Sequence, residues 1–364
     1  MKTAFTTACA LLFVASAAWA GKTRNVILVI SDGVRWQEVF TGADPTLLNG
    51  EAGGSWTSAA ELKKKYWDDD PQVRRRRLFP FLWETVATHG QIYGNQGKGS
   101  VAQVTNGMAF SYPGYNEMAS GVADPRINSN DYGPNPNVTV FEWLNTKPAF
   151  AGRVEVFATW ATFADIFNGA RSKLPIHAGA TLVDARDTSA RGALLSELYR
   201  TTTRLEGADP YDSFLHVAVR DHLRAHHPRV LFIGYGDTDN WQHTGRYDSF
   251  LETAHSFDGY VAELWKQLQS TPGYKDQTTL IISTDHGRGS GLTEWHDHGV
   301  DQKGSDSIWI AVIGPDTKPL GERHDVPLAT QSQIAATIAA LVGENFQLFN
   351  PKAAPALREV LSTP

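Results

Sequence analysis

The chain nearly lacks cysteine. Cys9 is the only one among 364 residues, and it falls in an N-terminal stretch expected to be removed. A mature chain without thiols has no disulfide, no lipidated cysteine and no thiolate ligand. Any metal must then be held by His and Asp, a donor set suited to zinc or a similar ion. Long apolar runs are also missing after residue 20, so no transmembrane helix and no membrane anchor are expected. Nor is there an excess of positive charge: 33 Lys and Arg stand against 39 Asp and Glu, a formal net charge of −6. Nucleic-acid binding is not expected, and an anionic substrate would need a local positive field such as bound metal ions provide. No internal repeat and no domain linker are visible.

At the N-terminus, Lys2 precedes an apolar stretch from Ala8 to Ala18, which closes on Ala18-Trp19-Ala20. The stretch is too short to span a bilayer comfortably, and the A-x-A ending is a cleavage pattern. Residues 1–20 are therefore expected to be a signal peptide. The remainder, 21–364, is expected to form one domain, periplasmic or secreted, with about 340 residues to build its core.

Several apolar runs end in polar residues. Asn25 to Ile30 leads into Ser31-Asp32-Gly33, Val230 to Tyr235 into Gly236-Asp237-Thr238-Asp239, and Thr279 to Ile282 into Ser283-Thr284-Asp285-His286-Gly287. Ile308 to Ile313 ends at Gly314-Pro315, and Val154 to Ala158 is a weaker run. Continuous apolarity predicts strands covered on both faces. Helical spacing appears over Phe250 to Leu268 and Gln333 to Leu341. Alternating strands and helices predict an open α/β sandwich, in which ligands gather beyond the carboxyl ends of the strands. The stretch 41–98 breaks this rhythm with Asp68-Asp69-Asp70 and Arg74-Arg75-Arg76-Arg77, and it is read as an insertion with a solvated charged face. Residues 124–137, rich in Asn, Pro and Asp, read as a long loop.

The chemistry-bearing residues cluster at the predicted strand ends. Asp32 alone could simply cap a helix. Asp239 and His243 are four apart, so a helix would turn both to one side and let them share an ion. Asp237 competes, although the spacing favours Asp239. Asp285, His286, His296, Asp297 and His298 crowd into 14 positions, and buried charges and imidazoles need partners, for which a metal serves. Spacing does not choose between His296 and His298. Ser111 precedes a Pro-Gly turn and needs an activating base or metal to act as a nucleophile.

In this order the motifs resemble the alkaline phosphatase superfamily, closest to its nucleotide pyrophosphatase/phosphodiesterase branch and the bacterial relatives of that branch. The elements are Asp32-Gly33, Ser111-Tyr112-Pro113, Asp239 to His243, Asp285-His286-Gly287 and His298-Gly299, spread over about residues 25 to 345. The resemblance implies an alkaline-phosphatase-like three-layer sandwich, its mostly parallel central sheet covered by helices on both faces. It also implies two divalent metal ions, zinc by choice, about 3.5–4 Å apart. Asp239, His243 and His298 resemble the ligands of one ion. Asp32, Asp285 and His286 resemble those of the other, which also touches the Ser111 hydroxyl. Ser111 would attack phosphorus and pass through a phosphoserine. The family often adds an Asn that binds a phosphate oxygen; Asn130 and Asn128 lie in the right stretch, and Asn116 is another candidate.

The implied activity is hydrolysis of a small phosphorylated substrate, a monoester or a diester. Sulfatases carry Cys or Ser followed by x-Pro-x-Arg, and Tyr115 stands here in place of that Arg, which weighs against a sulfatase. The alternatives are a sulfatase-like hydrolase, a phospho-group transferase, or a metal-binding relative without activity. Substrate choice is expected to lie in the loops around Tyr112, Tyr115 and 124–137, and in the Trp-containing insertion before residue 100.

Overall fold

The computed structural model describes residues 21–182, 189–205 and 209–361, so the expected signal peptide lies outside the described residues. Ten strands are described. They are β1 (Asn25–Ser31), β2 (Gly90–Tyr93), β3 (Ala102–Gln103), β4 (Val154–Ala158), β5 (Ile176–Ala178), β6 (Val230–Tyr235), β7 (Thr278–Ser283), β8 (Ile310–Ile313), β9 (Gly321–Glu322) and β10 (Ala329–Thr330). Eight of them form one sheet in the order β5-β4-β6-β1-β7-β8-β2-β9, while β10 and β3 pair separately. Every neighbouring pair in the large sheet is parallel except the two that β8 makes, with β7 and with β2. The mostly parallel sheet expected from the sequence is the one found.

The continuous apolar runs have a simple cause. In β1, Val26, Leu28 and Ile30 enter one hydrophobic core while Ile27 and Val29 enter the other. A strand buried on both faces cannot alternate with polar residues. Helices supply the covering layers. The 24-residue helix Tyr247–Ser270 adds Phe250, Leu251, Phe257 and Val261 to the second core, and Gln333–Leu341 adds Ile334 and Ile338 to the first. The stretch 41–98 holds the helices Ala59–Tyr66 and Pro71–Leu78, and then rejoins the main sheet through β2. Residues 124–137 contain no helix or strand.

Three parallel strands bring the predicted residues to one edge. β1 lies between β6 and β7, with Ser31 opposite Tyr235 and Ile30 opposite Ser283. Asp32, the start of the helix Asp237–His243 and Asp285-His286 therefore leave the sheet side by side. The carboxyl ends of parallel strands are where such folds place ligands.

Candidate metal centre

The helix Ser111–Ser120 delivers the serine. Phe110 precedes it in extended conformation, and Ser111 is the first helical residue, so its hydroxyl sits at the positive end of the helix. Within this helix, buried Glu117 accepts hydrogen bonds from the amides of Thr105 and Asn106, from the Thr105 hydroxyl and from the Asn106 side chain. That anchors the loop entering the helix. Close packing then sets the depth of the helix: a Cβ added at Gly114 would lie 2.4 Å from the Asp285 carbonyl oxygen. Only glycine allows this approach.

Ser111 is 6% exposed, and its Oγ stands 3.4 Å from Nε2 of fully buried His286. Nδ1 of His286 donates to the Gly287 carbonyl over 2.9 Å, which turns Nε2 inward as the ring's remaining ligating atom. Nε2 faces Asp32 Oδ1 at 3.3 Å, Asp285 Oδ2 at 3.4 Å and Asp239 Oδ1 at 3.9 Å. The other oxygens of the first two carboxylates are engaged: Tyr115 Oη donates to Asp32 Oδ2 over 2.8 Å, and the Gly33 amide donates to Asp285 Oδ1 over 3.0 Å. Gly33 has φ +64, and a Cβ there would meet Arg288 Nε and Asp239 Oδ1 at 2.9 Å each.

The helix Asp237–His243 brings Asp239 and His243 to the same side, with His243 Nε2 at 3.3 Å from Asp239 Oδ2. His298 Nε2 lies 3.0 Å from His243 Nε2 and 3.8 Å from Asp239 Oδ1, and its ring stacks on His286 at 4.0 Å. Two overlapping ligand groups result, Asp32/Asp285/His286 and Asp239/His286/His298, each with its donor atoms within 4.8 Å of one another.

Electrostatics follow from this crowding. Burial pushes the Asp285 carboxyl well above its usual range, and the neighbouring charge of Asp32 adds to the effect. Burial acts the same way on Asp32, but the adjacent positive His286 outweighs it, with the Tyr115 hydrogen bond adding, and its value is lowered. His286 is likewise opposed by burial yet raised to about 9 by Asp285 and Asp32. His298 is lowered by burial and by the positive charge of His286 and Arg288.

The alternatives left open by spacing separate in space. Asp237 turns away: its Oδ2 accepts the Asp212 amide at 3.0 Å, at the start of the helix Asp212–His226. His296 contributes its carbonyl, which accepts from Arg288 Nη1 over 2.6 Å, and it belongs to neither ligand group. Asn130 Oδ1 accepts the Tyr112 amide at 3.0 Å, one residue from Ser111. Asn128 is exposed. Asn116 is fully buried, and its Oδ1 accepts from Asn135 and Asn137, so it braces the loop. Tyr112 and Tyr115 are 0% and 1% exposed; both are core residues, and Tyr115 acts on Asp32.

The reading of the sequence missed Arg288. It is fully buried, donates to Asp239 Oδ1, and its guanidinium is lowered to about 9 by burial. Its signal was its place directly after Asp285-His286-Gly287.

The donors suit a divalent ion on two counts. Asp32 Oδ1 and Asp285 Oδ2 are buried without a hydrogen-bond partner while pointing into the centre. The donor set, carboxylate and imidazole with no thiolate, is one that zinc and similar ions take.

No family model matches the chain, and no curated protein matches it. Solved structures do match. The chain superposes on a mutant of the alkaline phosphatase PafA with a TM-score of 0.56 at 9% identity, covering 94% of this chain and 99% of that one. For the phosphonate monoester hydrolase SpPMH from Silicibacter pomeroyi the values are 0.53 and 13%, covering 94% and 78%. For BT1596, a 2-O GAG sulfatase, they are 0.52 and 15%, covering 93% and 74%. The chain thus has the fold of the alkaline phosphatase superfamily, as the order of its motifs implied.

Proposed function

We propose that this chain is an exported, metal-dependent hydrolase of phosphate esters with Ser111 as its nucleophile. The observation that carries the reading is the 3.4 Å approach of the Ser111 hydroxyl to Nε2 of His286, inside a buried ring of Asp and His donors. Asp32, Asp285 and His286 would hold one divalent ion and Asp239, His243 and His298 a second, zinc being the ion their donor set suits. When bound, such ions supply the positive charge that favours a serine alkoxide and offsets the charge of the phosphate.

The side chains divide the remaining work. Ser111 Oγ forms the bond to phosphorus as the bond from phosphorus to the ester oxygen breaks, and the proton given up by Ser111 ends on the departing alcohol. Water then cleaves the phosphoserine, releasing phosphate (or a phosphomonoester, from a diester) and restoring the hydroxyl. The helix N-terminus at Ser111 adds partial positive charge where the anion must sit. Asn130, positioned through the Tyr112 amide, has a side-chain NH2 to donate to a phosphate oxygen. Arg288 supports the charge of Asp239.

The test is a matched set of p-nitrophenyl phosphate, bis-p-nitrophenyl phosphate and p-nitrophenyl sulfate, given to purified mature protein loaded with zinc. The expected result is turnover of phosphate esters well above the sulfate ester, abolished by chelator and restored by zinc. Preferential sulfate-ester turnover, or a single calcium ion bound only through oxygen, would move the protein to the sulfatase-like reading. Two bound metals with no ester turned over would leave a binding protein.

A further inference from the structure

A second set of metal-competent side chains lies away from the candidate centre. Glu155 is the second residue of β4, His177 sits in the edge strand β5, and His222 belongs to the helix Asp212–His226. Glu155 Oε2 stands 2.6 Å from His222 Nε2 and 3.7 Å from His177 Nε2, and the three ligand atoms fall within 4.8 Å of one another. In register, Glu155 lies opposite Leu231 of β6, whereas Asp32 follows the pair Ser31 and Tyr235. Four residues along a strand make roughly 13 Å, and β6 intervenes between β4 and β1. The two sites are distinct.

The local structure explains how the three meet. Side chains alternate along a strand, so Glu155 and Phe157 share a face, and that face is covered by the helix that carries Val219, His222 and Leu223. Phe157 pairs with His177 across β4 and β5. Its ring stacks on His177 at 4.3 Å and lies 4.9 Å from His222, fixing both imidazoles. Glu155 is 6% exposed in an otherwise apolar layer, where a carboxylate needs a positive partner. Both Nε2 atoms are buried and turn toward this carboxylate.

Two imidazoles and one carboxylate form a donor set that zinc accepts with a fourth position open. Tetrahedral coordination at about 2.0–2.1 Å separates donors by roughly 3.3 Å, a value bracketed by the 2.6 and 3.7 Å found here. The group borders a cavity of about 640 Å³ whose walls include Leu182, Leu195, Ala218, Arg191 and Asp221. We propose that Glu155, His177 and His222 bind one divalent transition ion of the zinc class, its remaining coordination position turned toward this cavity. The ion clips the three-residue edge strand β5 and the helix Asp212–His226 to β4. This site stands on its own residues and does not depend on the proposed hydrolase activity.

The experiment uses the mature protein, stripped with chelator and titrated with zinc alone, with bound zinc counted and the thermal midpoint followed. The comparison is the double variant His177→Gln/His222→Gln. The wild type is expected to bind one equivalent more than the variant, and the variant to lose part of the zinc-dependent rise in midpoint, since a ligand that binds only the folded state stabilises it. Circular dichroism and ester turnover should be unchanged. Equal zinc counts and equal midpoint shifts would overturn the proposal. If the double variant does not fold, Glu155→Gln, which keeps the side-chain shape, gives the same comparison with the same two outcomes.

Discussion

The Tyr115 hydroxyl donates to Asp32 Oδ2 over 2.8 Å, and this bond ties the helix that carries Ser111 to the end of β1. Ser111 and Tyr115 are one helical turn apart, so the helix turns both toward the same wall of the site. Burial, with the charges of Asp285 and Asp32, holds the phenol well above its ordinary range, and Tyr115 acts only as a donor. Where the sulfatase pattern carries a permanently charged Arg, this chain carries a neutral group that orients a carboxylate.

Tyr115→Phe removes that donor and leaves the ring packed against Phe163 at 4.5 Å. A hydrogen bond to a buried charge contributes about 1.5–3 kcal/mol, so the urea midpoint should fall accordingly. Loss of a partner that orients a metal ligand lowers affinity or activity about 10–100-fold. Zinc titration and ester turnover on the same preparation check both effects. Wild-type values for the two would remove Tyr115 from the account.

Gly114→Ala tests the depth of the serine helix. Its new Cβ would meet the Asp285 carbonyl at 2.4 Å, so the helix must retreat from the strand end that carries His286. Overpacking of this kind costs about 1–3 kcal/mol. Turnover should fall further than stability alone explains, because Ser111 moves with the helix. Thermal unfolding alongside kcat measures the two separately.

The neighbouring candidates in the two motifs should part in metal content. His298→Ala is expected to lose one of the two zinc ions of the candidate centre and nearly all turnover. His296→Ala should be mild, since its tie to Arg288 runs through the backbone carbonyl, which alanine keeps. In the same way Asp239→Asn should lose metal, whereas Asp237→Asn should mainly lower stability by weakening its bond to the Asp212 amide. Zinc counting on the four variants decides, and an inverted order in either pair would mean that a different residue ligates.

Much of this arrangement was legible in the sequence, for physical reasons. β1, β6 and β7 are buried on both faces, and such strands announce themselves as unbroken apolar runs. The four-residue spacing of Asp239 and His243 carried the helix that places them together. β2 and β5, four and three residues long, are too short for any periodicity to show. Arg288 reads as an ordinary surface charge until the fold brings Asp239, 49 positions earlier, against it. The Glu155, His177 and His222 group has no sequence signature at all, since two strands and a helix assemble it.

Asp258 offers a pH test away from the candidate centre. It accepts the amides of Phe81 and Leu82 at 2.7 and 2.9 Å, yet burial raises its carboxyl from 3.8 to about 7. The folded state therefore holds this proton more tightly than the unfolded state does. The stabilisation from the protonated form is complete below about pH 3.8 and is lost as pH rises through about 7. The stability of the wild type relative to Asp258→Asn should thus decline between pH 4 and 7, read from urea midpoints at each pH. A difference that grows over that window would contradict the assignment.

Turnover of Ser111→Ala on p-nitrophenyl phosphate, measured with its zinc content, tests Ser111 as the nucleophile. Asp and His supply the proposed ligands, so the variant should fold and keep most of its zinc. Loss of a covalent nucleophile should lower kcat by about a thousandfold or more. A metal-loaded Ser111→Ala protein that turns over phosphate ester near the wild-type rate would contradict the account, because water would then attack without the serine.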